Sequence, residues 1–177
     1  MSRFPLALGL AVLALIALTG CSQIIPMTAA DDANNPGCAA VIVRLPDTVG
    51  DMPKRETDAQ ATAAWGNPAS VLVRCGVEVP RASTLPCIEL EGIFFLRDVS
   101  DKKFWKFTTF GRDPALDIVV SRKAFTSPGI PLNDLLNAVS FLPPNGQKCT
   151  STDDTVTGQD IDLPPVPTTA PSPTPAG

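Results

Sequence analysis

Five cysteines and a thin scatter of carboxylates carry most of the chemistry open to this 177-residue chain, which has no histidine and no tyrosine. Without histidine there is no Ser-His-Asp or Cys-His catalysis and no imidazole metal site. No Gly-rich phosphate loop is present either. The cysteine with the most telling surroundings is Cys21, which ends the run Leu18-Thr19-Gly20-Cys21. An aliphatic residue, two small residues and a cysteine have the spacing of a bacterial lipobox. The small pair fits a signal peptidase cleft, and the thiol takes a diacylglycerol before cleavage on its amino side. What precedes it agrees: one basic residue, Arg3, then an apolar run to Leu18. Phe4 to Gly20 is 17 residues, at the short limit of ~17–25 for a helix that crosses a bilayer, and no stop-transfer charges follow. Residues 1–20 therefore read as a lipoprotein signal peptide, with Cys21 as the lipid attachment site and the outer face of the cell membrane as the location. A diacyl anchor supplies two buried chains where one would hold only marginally.

With Cys21 assigned to lipid, Cys38, Cys75, Cys87 and Cys149 form an even set for two disulfides, which persist in an exported protein. Three pairings are open, and the spacing does not choose among them. Each loop would contribute ~3.5–4.5 kcal/mol in the chain-entropy model. Zinc ligands come in close pairs; these cysteines do not, so no metal and no cofactor is expected. Glu89 and Glu91 are two apart and share one face of a strand. As an acid–base pair they would suit glycoside hydrolysis, as would Asp98 and Asp101. The alternation of Ile88 and Leu90 with the two glutamates is equally that of a strand with one wet face. Asp153, Asp154, Asp160 and Asp162 miss the spacing of an EF-hand. Arg74 and Arg112 are candidates to hold an anion, or to pair with a local carboxylate or cap carbonyls. Trp65 at a Gly-Asn-Pro turn is a sugar-stacking platform or a core ring over a disulfide. Without Arg3 the chain has 13 basic and 18 acidic residues, which argues against nucleic acid and against a polybasic membrane patch.

The elements that must place these residues are short. Residues 21–35 read as a polar, disordered tether. Asn35-Pro36 reads as N-cap and first helical position of a helix over Pro36–Leu45, ended by Pro46. Residues 47–58 read as a solvated loop and Ala59–Trp65 as a short helical turn. Ser70–Val77 reads as a buried strand. Cys87–Glu91, Ile93–Arg97, Phe104–Phe110 and Leu116–Ser121 follow with short turns, implying an antiparallel meander. Leu132, Leu135, Leu136 and Val139 mark one stripe of a last helix, Leu132–Leu142. The expected fold is α+β: an antiparallel meander sheet of about four strands with two helices on one face. The single disulfide-stapled domain spans 36–149, and 150–177 is a disordered Pro/Thr-rich tail open to O-glycosylation.

Several motifs follow one another in order: Cys38…Leu45-Pro46, Ala64-Trp65-Gly66-Asn67-Pro68, Arg74-Cys75-Gly76-Val77, Gly92-Ile93 and Thr109-Phe110-Gly111-Arg112. Together they resemble an uncharacterised family of actinobacterial lipoproteins, domain of unknown function 3515, over about residues 36–142. The resemblance implies a high-GC Gram-positive host and a Cys38–Cys75 disulfide, leaving Cys87–Cys149 as an additional pair. The chain departs from the family pattern at Phe94 and Phe95, and the family supplies no activity to carry over. The expected function is a membrane-anchored, non-enzymatic envelope module that binds a protein or wall component. The alternative is a carboxylate-dependent cell-wall glycan hydrolase on Glu89/Glu91 or Asp98/Asp101. A two-lobed transport binding protein does not fit the size.

Overall fold

A computed structural model describes residues 23–81 and 83–149 and the backbone of 156–157. Cys21, the signal segment, Asp153, Asp154, Asp160, Asp162 and the Pro-rich tail lie outside the described residues.

Helix α1 is Pro36–Ile42. Asn35 caps it, its side chain accepting the Gly37 N–H at 2.9 Å, with Pro36 at the first helical position. Eight antiparallel strands follow: β1 (Thr48–Val49), β2 (Met52–Arg55), β3 (Thr62–Trp65), β4 (Val71–Val77), β5 (Cys87–Leu90), β6 (Ile93–Asp98), β7 (Phe104–Phe110) and β8 (Ala115–Ser121). Helix α2 is Gly129–Val139. Val156–Thr157 add a two-residue parallel strand, β9, beside β5.

The sheet order is β1-β2-β3-β4-β8-β7-β6-β5-β9. This corrects the expected sheet of about four strands in two ways. First, the stretch read as loop and helical turn holds three strands. Met52-Pro53-Lys54-Arg55 shows no apolar alternation because β2 lies near the sheet edge, where proline and charge are tolerated. Thr62-Ala63-Ala64-Trp65 favours helix by composition. Pairing on both sides, Arg55↔Ala64 and Ala64↔Leu72, overrides that local preference. Second, β4 pairs not with the next strand but with β8, Val73 opposite Ile118. Two meanders, β1–β4 and β5–β8, thus join edge to edge through their last strands.

One face of the sheet and the two helices form the core. Val71, Val73 and Cys75 of β4, Leu116, Ile118 and Val120 of β8, and Trp105 and Phe107 of β7 are buried beside Cys38 and Val41 of α1 and Leu132, Leu135, Leu136 and Val139 of α2. The stripe predicted for α2 is buried, though the helix begins at Gly129, three residues early, and ends at Val139.

Residues 23–35 are not the expected loose tether. The Ile25 N–H donates to the Glu56 carbonyl at 2.8 Å, Met27 N–H to Asp58 at 2.7 Å and Asp32 N–H to the Gly76 carbonyl at 3.1 Å. The Arg55 guanidinium donates to the Gln23 carbonyl at 2.7 Å. The backbone satisfies its polar groups on the sheet, so the segment is part of the domain.

Candidate functional site

The covalent chemistry is structural. Cys38 of α1 is bonded to Cys75 of β4, with Cα atoms 5.5 Å apart and both residues fully buried. Cys87 at the start of β5 is bonded to Cys149, with Cα atoms 6.2 Å apart.

The carboxylate pairs do not assemble. Glu89 is exposed on β5, but Glu91 has left the strand. Glu91 and Gly92, with φ of 49° and 78°, form the two-residue turn into β6. The two glutamates therefore do not share a strand face. Asp98 accepts the Ser100 N–H at 2.8 Å, and Asp101 the Lys103 N–H at 2.6 Å. Both carboxylates are used in shaping the β6–β7 loop. The hydrogen bonds from Ser100 hold the Asp98 carboxyl below its usual range.

Trp65 is fully buried in the core cluster that contains Cys38 and Cys75, and its indole N–H donates to the Pro46 carbonyl at 3.1 Å. It is a core ring, not a platform for sugar. Arg112 donates to the Leu142 carbonyl at 2.7 Å, and burial lowers its pKa. The neighbouring Gly111, at φ 75°, leaves room for the Gln147 carbonyl. Thr109-Phe110-Gly111-Arg112 thus clamps the chain that leads from α2 to Cys149.

Arg74 meets a carboxylate that the sequence reading missed. On the face away from the helices, Asp117 of β8 lies opposite Arg74 of β4 on one side and Thr108 of β7 on the other. One Asp117 oxygen accepts from Arg74 at 3.4 Å and is ion-paired with Lys106 Nζ at 3.1 Å. The other accepts the Thr108 hydroxyl at 2.6 Å. The Asp117 side chain is 5% exposed, against 40% and 45% for the two cations. Open grooves of about 390 Å³ flank the group, one under Pro26–Thr28 and the other under the loop after β4. The signal for it was present in the alternation Lys106/Thr108 in β7 and Asp117 in β8. Joining Arg74 to them required knowing that β4 and β8 are neighbours.

A third groove, of about 670 Å³, lies at the end of the sheet between the Gly66–Ser70 turn, Met52, Phe104 and Lys123. It is mainly apolar. Among the described residues no three cysteines, aspartates or glutamates converge as a metal would need, and no helix is long and apolar enough to cross a membrane.

The family described as protein of unknown function (DUF3515) matches residues 3–146. The chain belongs to the DUF3515 family. No curated protein and no solved structure matches it. The DUF3515 match ends before Cys149, so the Cys87–Cys149 staple reaches beyond the shared segment. The motifs Trp65–Pro68, Arg74–Val77 and Thr109–Arg112 fall within that segment. They fall respectively at the sheet-end turn, at the point where residues 32–33 meet β4, and at the clamp on Arg112.

Proposed function

We propose that this DUF3515 protein is exported and held by a diacylglycerol on Cys21 as a non-enzymatic binding or structural module of the cell envelope. The observation that carries the reading is the fate of the other four cysteines. They are bonded to one another, so no cysteine of the chain is left to partner Cys21, which sits in the lipobox setting. Two disulfides suit an oxidising compartment outside the cytosol. The family match begins at residue 3, so the leader lies inside the shared segment. Exposed Glu89, the turn at Glu91 and the loop-bound Asp98 and Asp101 give no acid–base pair, which supports a binding role over hydrolysis. The Arg74–Lys106–Asp117 group is a rivet across three strands with two cations to one carboxylate.

A Cys21→Ser variant should lose labelling by radioactive fatty acid and leave the membrane fraction; retention equal to the unaltered protein would sink the anchor. For the binding role, crosslinking on intact cells should recover a reproducible envelope protein or wall fragment. Its absence from repeated experiments would count against that part of the reading.

A further inference from the structure

The chain's charge is unevenly placed. The sequence without Arg3 carries an excess of acid, yet one end of the sheet is basic. The β6–β7 loop supplies Lys102 and Lys103, and the turn after β8 supplies Arg122 and Lys123. Pairing of Phe104 with Ser121 and the Arg122 N–H bond to the Lys103 carbonyl at 2.9 Å bring them together. The acids at this end include Asp51, Asp98 and Asp101; Asp134, which accepts the Gly50 N–H at 2.6 Å, lies beside Asp51. Asp98 and Asp101 accept backbone N–H groups of their own loop. Lys102, Lys103 and Lys123 are exposed. Arg122 stacks on the Trp105 ring at 4.5 Å and donates to the Phe104 carbonyl. The same end exposes two large apolar side chains, Val99 of the β6–β7 loop at 44% and Phe104 at 37%. Phe104 also forms one wall of the sheet-end groove, beside Pro68 and Met52.

The leading segment reaches the same end. One Arg55 nitrogen donates to the Gly66 carbonyl, on the groove's rim, at 3.0 Å; the other holds the Gln23 carbonyl. Cys21 is two residues upstream of Gln23, at most about 7 Å of extended chain. Ile24, next to the pinned residue, is 53% exposed. With so little slack, a lipid on Cys21 sets this end of the domain against the bilayer.

We propose that the sheet end bearing Val99, Phe104, Lys102, Lys103, Arg122 and Lys123 rests on the anionic phospholipid surface that holds the Cys21 anchor. This rests on the lipoprotein reading above. The lysines and arginine meet headgroup phosphates, each strengthening contact by about fivefold. Val99, Phe104 and the groove wall enter the boundary between headgroups and acyl chains, as amphipathic surface anchors do. The opposite end, with the Glu91–Gly92 turn, then points away from the membrane, and the Arg74–Asp117 face stands at the side, open to envelope partners.

The test is amide hydrogen exchange on the lipidated protein purified from membranes, compared in detergent, in phosphatidylcholine vesicles and in phosphatidylglycerol vesicles. The mass of the purified protein first reports the diacylglycerol, which judges the anchor separately. In phosphatidylglycerol, residues 99–104 and 121–124 should exchange roughly tenfold more slowly than in detergent, and residues 90–93 should not change. A Lys102→Glu/Lys103→Glu/Lys123→Glu variant, altered only at exposed positions, should keep its lipid and lose that slowing. Equal exchange in vesicles and detergent by protein that carries its lipid overturns the docking and leaves the anchor standing. A fourth sample, the protein left in its native membranes, identifies a protein partner: slowing there but not in phosphatidylglycerol assigns the face to that partner and also overturns the docking.

Discussion

Asp117 shows how a single side chain ties neighbouring strands together. It is nearly buried, accepts from Arg74 and Thr108 and is ion-paired with Lys106, so its charge is compensated on both sides by strands that flank β8. Asp117→Asn keeps the shape but removes the charge that strengthens its bonds to Arg74 and Thr108 and holds Lys106. The two cations, being partly exposed, regain water. The expected loss is about 2 kcal/mol, at the lower end for buried charge-assisted hydrogen bonds, read from urea denaturation with disulfides intact. A change under about 0.5 kcal/mol would show that the group is merely a surface pair. Arg74 was legible as a cation in search of a carboxylate. Its partner was not, because 43 residues separate them and only the β4–β8 pairing makes them neighbours.

Among the elements, the segment 23–35 and strand β4 depend on one glycine. Gly76 has φ of +87° at the irregularity between Cys75 and Val77, where the register of β4 on β8 shifts. A Cβ there would collide with the Asp32 backbone and sit 2.6 Å from the Ala33 nitrogen. Gly76→Ala should cost about 2 kcal/mol or more, combining left-handed strain with overpacking. It should also release residues 23–35, seen as faster amide exchange at Ile25, Met27 and Asp32. Full protection at those amides would separate the segment from Gly76. Strand β7 and helix α2 were readable because each has one wetter and one buried side, and β6 and β8 because each is a mostly apolar run bounded by polar turns. Strands β1 to β3 were not, since their polar and alanine-rich sequences acquire a strand's conformation only from the partners beside them.

For the molecule as a whole, the two disulfides close loops of different reach, and they differ in shelter. Cys38 and Cys75 are fully buried, whereas Cys87 is 5% exposed and Cys149 lies half-buried beyond the helices. Under native conditions a mild reductant with alkylation should open Cys87–Cys149 first, as read by mass spectrometry. Equal rates would mean that the core opens as readily as its edge. Replacing both Cys38 and Cys75 by alanine should remove about 4 kcal/mol, the chain-entropy value for a loop of this size, measured by denaturant midpoint. Survival of the folded state would show that the sheet holds α1 without the bond.

The sequence by itself determined what is local: the Asn35-Pro36 helix start and the amphipathic stripe of α2. These follow from residue types at short spacing, where one stretch of chain carries the whole physical cause. The tertiary structure alone decided that eight strands rather than about four form the antiparallel sheet and that β4 lies against β8. It also decided that the leading segment packs onto the domain instead of hanging free. Those outcomes depend on contacts between residues far apart in the chain, whose energies arise from burial and strand pairing once the whole sheet is assembled. No short window of sequence contains them.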